Sequence, residues 1–132
     1  MRRRVRSGTS SGDDGAAVVD FVLVGTLLLF LFLGIVQVGL ILHMRNVVTA
    51  NAAEAARYAA NLNVDPSAGG AKAHDLTAQE LSHTVADAMT CNSRLTGHLV
   101  TVECDGQLPL SFLPLGSVHL HTVAHAVKEE AP

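Results

Sequence analysis

From Phe21 to Leu42 the chain reads FVLVGTLLLFLFLGIVQVGLIL, without one charged side chain. A helix over this run, at about 1.5 Å per residue, covers about 33 Å, enough to cross a hydrocarbon core of about 30 Å. Within a chain of 132 residues a helix that is apolar all round cannot be wrapped by the remaining polypeptide, so the run predicts a membrane-spanning helix. A cleavable secretory signal shares the basic start and apolar run, but its apolar part is only 7 to 15 residues long. The one Ala-x-Ala, Ala50-Asn51-Ala52, also lies beyond His43, Met44, Arg45 and Asn46, late for such a signal. Four arginines, Arg2, Arg3, Arg4 and Arg6, precede the run, while Arg45 and Arg57 are spread out after it. Basic flanks stay in the cytoplasm, so the expected topology is a single pass through the cell (inner) membrane. The N-terminus is then cytoplasmic and everything after Leu42 extracytoplasmic.

Asp20 stands at the mouth of this run, where a carboxylate is costly unless hydrated or partnered. Gly15 directly precedes Ala16, and counting from Ala16 puts Asp20 at the fifth place and Phe21 at the sixth. A cut after Gly15 would create an amine one helical turn from that acid, and the two could neutralise each other within a chain or between stacked neighbours. This arrangement resembles the prepilin-peptidase site of type IV pilin-like proteins, where a basic leader ends in Gly and a Glu and a Phe follow at those places.

Two stretches, GAAVVDFVLV at Gly15 to Val24 and NAAEAARYAA at Asn51 to Ala60, resemble the TadE-like family of tight-adherence (Flp) pilus proteins. The chain has Asp20 where the family usually has Glu, and Gly25-Thr26 where Pro is frequent. The resemblance implies a pseudopilin, a structural membrane component of a tight-adherence pilus or related secretion apparatus, processed after Gly15. Its implied partners are the membrane, other pilin-like subunits and a prepilin peptidase.

The expected fold is α+β: a long N-terminal transmembrane helix extends into an extracytoplasmic stalk, followed by a small pilin-like domain with one helix and an antiparallel sheet. Residues 1–15 are expected to form the leader, 16–42 the spanning helix and 43–62 an Ala-rich helical stalk, with Glu54 and Arg57 placed for an i, i+3 pair. Small side chains there would let a helix or sheet approach closely, although a merely solvated Ala-rich helix fits the same composition. Gln37 could hydrogen-bond across a helix pair. NVDPSAGG opens a loop expected over 63–76, and 77–132 forms the domain. Thr77 and Glu80 read as a capping box, with Leu76 and Leu81 as staple and Leu81, Val85 and Ala88 on the packing face. Strands are expected at His98–Cys104, Leu108–Leu113 and Ser117–Val127, interrupted at Asp105-Gly106 and Pro114-Gly116.

Cys91 and Cys104 are the only cysteines, and outside the membrane a disulfide between them would staple a thin core. Free buried thiols, or metal ligands with His98, are the rival readings. His119, His121 and His125 share one face of the last strand and are candidate metal ligands, though Val123 lies between them; a solvated polar face is the simpler account. Net charge is −3 and aromatic content 4% with no Trp, which leaves neither the basic patch nor the stacking platform of a nucleic-acid binder. No phosphate loop, HExxH or GxSxG is present, so no enzymatic activity and no cofactor are expected. Besides the pseudopilin reading stand an uncleaved single-pass protein with an extracytoplasmic interaction domain and a small extracytoplasmic metal-binding protein.

Overall fold

A computed structural model describes residues 13–109 and 116–132. The leader arginines Arg2, Arg3, Arg4 and Arg6 and the expected strand residues 110–113 lie outside the described residues. Helix α1 (Asp13–Ala60) is 48 residues long. A 3-10 turn (Pro66–Ala68), α2 (Gly69–Glu80), a short α3 (His83–Asp87) and strands β1 (Met89–Thr96), β2 (Leu99–Pro109) and β3 (Ser117–Val127) follow. The strands form one antiparallel sheet in the order β1-β2-β3. The fold is thus α+β, a long apolar N-terminal helix and then a small region of helices and three-stranded antiparallel sheet. Two compact units divide the chain, Met1–Leu40 and Ile41–Pro132.

In the first unit, the described part of α1 is exposed nearly all round, with Phe21, Leu27, Phe30, Phe32 and Ile35 all more than 60% accessible. Such a surface is stable in hydrocarbon and not in water. It is the single segment among the described residues with the length and composition to cross a membrane.

In the second unit the rest of α1 has a sided pattern. Val48, Asn51, Ala52, Ala55, Ala56 and Ala59 are buried at helical spacing, while Glu54, Arg57 and Tyr58 are exposed. The Ala-rich "stalk" is therefore the core helix of its unit: its short side chains let the sheet approach and pack Val102, Cys104, Leu108, Leu120 and Ala124 on them. Thr49 and Thr122 join the two layers through their hydroxyls at 3.2 Å. Exposed Glu54 and Arg57 form no ion pair among the described residues.

Three local expectations give way to the observed packing. First, α2 starts at Gly69, well before the capping box, and Thr77 is a buried residue inside it, its hydroxyl donating to the Ala73 carbonyl at 2.9 Å. The glycines that read as breakers are there for close approach. A Cβ on Gly69 would meet the Ser93 side chain at 2.6 Å, and one on Gly70 the Cys91 carbonyl oxygen at 2.5 Å. Secondly, the helix expected to run on through Ala88 is two pieces. Ser82 caps α3 by accepting from the Val85 N–H at 3.2 Å, so Leu81 and Val85 still pack on the core from either side of the break. Thirdly, β1 occupies a segment with no strand expected, and β2 runs straight through Asp105-Gly106. Gly106 lies opposite Met89, where a Cβ would collide with the Ala88 carbonyl oxygen, so this glycine marks a close crossing and not a turn.

Candidate functional site

The residues singled out for processing lie together at the start of α1. Gly15, Ala16, Asp20 and Phe21 are all helical and exposed, and Phe21 is 79% accessible. Ala16 and Asp20 are i, i+4 neighbours, about 5–6 Å apart at Cβ on a regular helix. Among the described residues, nothing beyond its chain neighbours and the adjoining helix backbone lies within 4 Å of where a Gly15 Cβ would be, so tertiary packing does not require glycine there. Asp20 has no ion-pair partner among the described residues. Gln37 is half-buried by its own helix neighbours and makes no side-chain hydrogen bond among the described residues.

Cys91 and Cys104 face each other across β1 and β2 in register and are joined as a disulfide, with Cα atoms 4.0 Å apart. Hairpin register places the pair: Met89 faces Gly106 and Thr96 faces Leu99, so the cysteines fall opposite one another.

The three strand histidines alternate with buried Leu120, Thr122 and Ala124, which puts them on the outer face. Each has its own cross-strand partner. His119 Nε2 lies 3.2 Å from Asp105 Oδ2, His121 Nε2 3.0 Å from Glu103 Oε1, and His125 Nδ1 3.0 Å from the Thr101 hydroxyl. They are spread along the strand, and no group of three or more His, Cys, Asp or Glu able to hold a metal occurs among the described residues. Glu103 also meets Arg94 at 3.4 Å. The hydrogen bond with His121 holds the Glu103 carboxyl below its ordinary value; desolvation opposes this, and the Arg94 charge adds a smaller lowering. Glu103 and Asp105 share the alternation of β2 once the strand is carried through Gly106, but pairing them with the histidines takes the β2–β3 register.

Lys128 gave no sequence signal. It follows β3 directly, and its ammonium donates to the carbonyls of Ala59 at 3.3 Å, Asn61 at 2.6 Å and Val64 at 2.8 Å. A helix leaves its last carbonyls unpaired, and a cation there also meets the negative end of the helix dipole. Glu129 completes the clamp: its N–H donates to the Ala60 carbonyl at 2.8 Å, and its carboxylate accepts from the Leu62 N–H at 3.3 Å. Nearby Asp65 is held below its ordinary value by donation from the Ser67 hydroxyl and backbone N–H, with a smaller effect of the Lys128 charge. Deeper in, the Asn51 amide reaches the Thr77 hydroxyl at 3.4 Å and links α1 to α2.

No curated protein and no solved structure significantly matches the chain. A family model does match, described as TadE-like protein, over residues 15–57. That family is structural and pilus-related, and the matched segment takes in both the exposed apolar run and most of the alanine face beneath the sheet. Over residues 15–57, about a third of its length, the chain resembles that family.

Proposed function

We propose that the chain is a TadE-like pseudopilin of a tight-adherence (Flp) pilus or related secretion apparatus, anchored in the inner membrane with its N-terminus cytoplasmic. In this reading 1–15 is the leader, 16–42 spans the membrane, and the residues from 43 onward, the Ala-rich helix, the 63–76 connection and the 77–132 region, are extracytoplasmic. A prepilin-type peptidase removes the leader between Gly15 and Ala16. The apolar helix then associates with other pilin-like subunits, Gln37 contributing a hydrogen bond between helices.

One observation carries the reading: an apolar helix exposed all round begins with Gly15, Ala16, Asp20 and Phe21 along one accessible turn and a half. After cleavage the spanning helix loses its basic anchor, and Asp20 is the acid within reach of the new amine on Ala16. An amine buried without a partner costs several kcal/mol, so neutralisation by Asp20 would make lateral packing of such helices feasible.

The test is N-terminal sequencing of protein purified from a host that has the peptidase. The expected mature chain begins at Ala16. Gly15→Leu, which meets open space in the helix, should block cleavage and leave insertion unchanged. Asp20→Ala should insert yet assemble poorly, and Asp20→Glu should assemble. A chain still beginning at Met1 or Arg2 refutes the proposal.

One feature favours the uncleaved single-pass alternative. Gly15 and Ala16 are both helical, so the bond between them has to unwind before a peptidase can take it. Glycine lowers that cost by about 1 kcal/mol relative to alanine, which keeps cleavage the better reading.

A further inference from the structure

Beside the point where α1 ends its uncharged run, the first residues of β3 pass close to the helix and leave a cleft of about 270 Å³. Its lining is of two kinds. Ile41, Leu42 and Val118 give aliphatic walls, and Arg45, His119 and His121 give nitrogen donors. Arg45 is exposed and has no acidic partner among the described residues. The two imidazoles are tied to Asp105 and Glu103 through Nε2, which leaves each Nδ1 for a second partner and leaves those carboxylates already engaged.

Leu42 is the last residue of the uncharged run, and Arg45 follows it by about 4.5 Å along the helix axis. The polar layer on each side of a hydrocarbon core is about 5–7 Å deep, so a helix that spans with Leu42 at its edge carries Arg45 at the level of the lipid phosphates. A guanidinium fork matches a phosphodiester with two parallel hydrogen bonds. We propose that this cleft binds the headgroup of an anionic membrane phospholipid. Arg45 holds the phosphate, the histidines supply further donors, and the glycerol and first methylenes lie against Ile41, Leu42 and Val118. An anionic lipid is favoured over a zwitterionic one because the cleft presents an unpaired cation and its carboxylates are already occupied by the histidines.

The proposal rests on the membrane-spanning reading, and its test separates the two. Full-length protein in non-ionic detergent micelles is titrated with phosphatidylglycerol, phosphatidylcholine or inorganic phosphate, and the Arg45 and histidine side-chain resonances are followed by NMR. The expected result is a saturable shift with phosphatidylglycerol that Arg45→Gln weakens about tenfold and Arg45→Lys weakens less, as loss of one charge-assisted interaction requires. An equal response to phosphatidylcholine, saturation by inorganic phosphate at the same concentration, or indifference to Arg45→Gln overturns the proposal. Flotation with pure phosphatidylcholine vesicles reports insertion independently. Wild type and Arg45→Gln should float alike; floating protein without a phosphatidylglycerol response removes the lipid site alone, and protein that does not float removes the membrane reading with it.

Discussion

Replacing Lys128 by Met keeps the length and apolar stem of the side chain and deletes three donors at the end of α1. Those donors reach Ala59, Asn61 and Val64 at 3.3, 2.6 and 2.8 Å. Hydrogen bonds from a charged group contribute about 1.5–3 kcal/mol each, but they do not sum here. Asn61 is exposed and Val64 half-buried, so water can take their carbonyls, whereas Ala59 is fully buried and has the longest of the three bonds. Adding the helix-end charge effect of about 0.3–1 kcal/mol, the net loss should be about 2 kcal/mol. For a unit of the size of residues 41–132, this lowers the melting temperature by about 10 °C. The assay is thermal unfolding of full-length protein in micelles, with hydrogen exchange read at Glu129 and Leu62, whose amides belong to the same clamp. Faster exchange should be confined at first to that end of the helix. A melting temperature within about 1 °C of wild type, with exchange unchanged, would refute the argument that this ammonium holds the helix end.

Three further outcomes are expected. Intact protein should show no free thiol before reduction, and Cys91→Ser should cost about 3 kcal/mol by the loop-closure argument; labelling of both thiols in unreduced native protein would contradict the disulfide. Because the folded Glu103 value is lowered, its contribution to stability is present above the ordinary 4.5 and is lost as pH falls through the lower folded value. Its carboxyl should therefore titrate below 4.5 by NMR and move back up in His121→Phe, and an unchanged midpoint would show that the histidine does not set it. A reporter fused after Pro132 should act on the extracytoplasmic side, and cytoplasmic activity would reverse the orientation.

The parts legible in the sequence are those written in a single period. The uncharged run needs no partner to be recognised, and β3 declares itself by alternation, with Leu120, Thr122 and Ala124 inward and the histidines outward. Strand β1, MTCNSRLT, hides because its one fully buried side chain is Met89 and its inner face is finished by Cys91 and Ser93, which composition does not distinguish from a loop. Glycine was misleading wherever its purpose is proximity. Gly69, Gly70 and Gly106 read as punctuation, yet each sits where another side chain would strike a neighbouring strand or the α3–β1 junction. Long-range capping is beyond local reading altogether: nothing near Lys128 announces carbonyls more than 60 residues earlier. At the candidate site, the spacing of Gly15, Asp20 and Phe21 was visible from the start, while the acid partners of the histidines needed the β2–β3 register.

The clamp at Lys128 and Glu129 also sets an order of events for a chain made from its N-terminus. Helix α1 can enter a bilayer as soon as it is made, but its far end stays open until Lys128 and Glu129 arrive to cover it. If that end crosses the membrane first, as the proposed topology requires, the unit cannot close while any of residues 128–129 is still on the other side. Closure of the helix end then waits on the passage of Lys128 and Glu129. A chain stopped at Val127 would keep all three strands and leave the helix end unsealed.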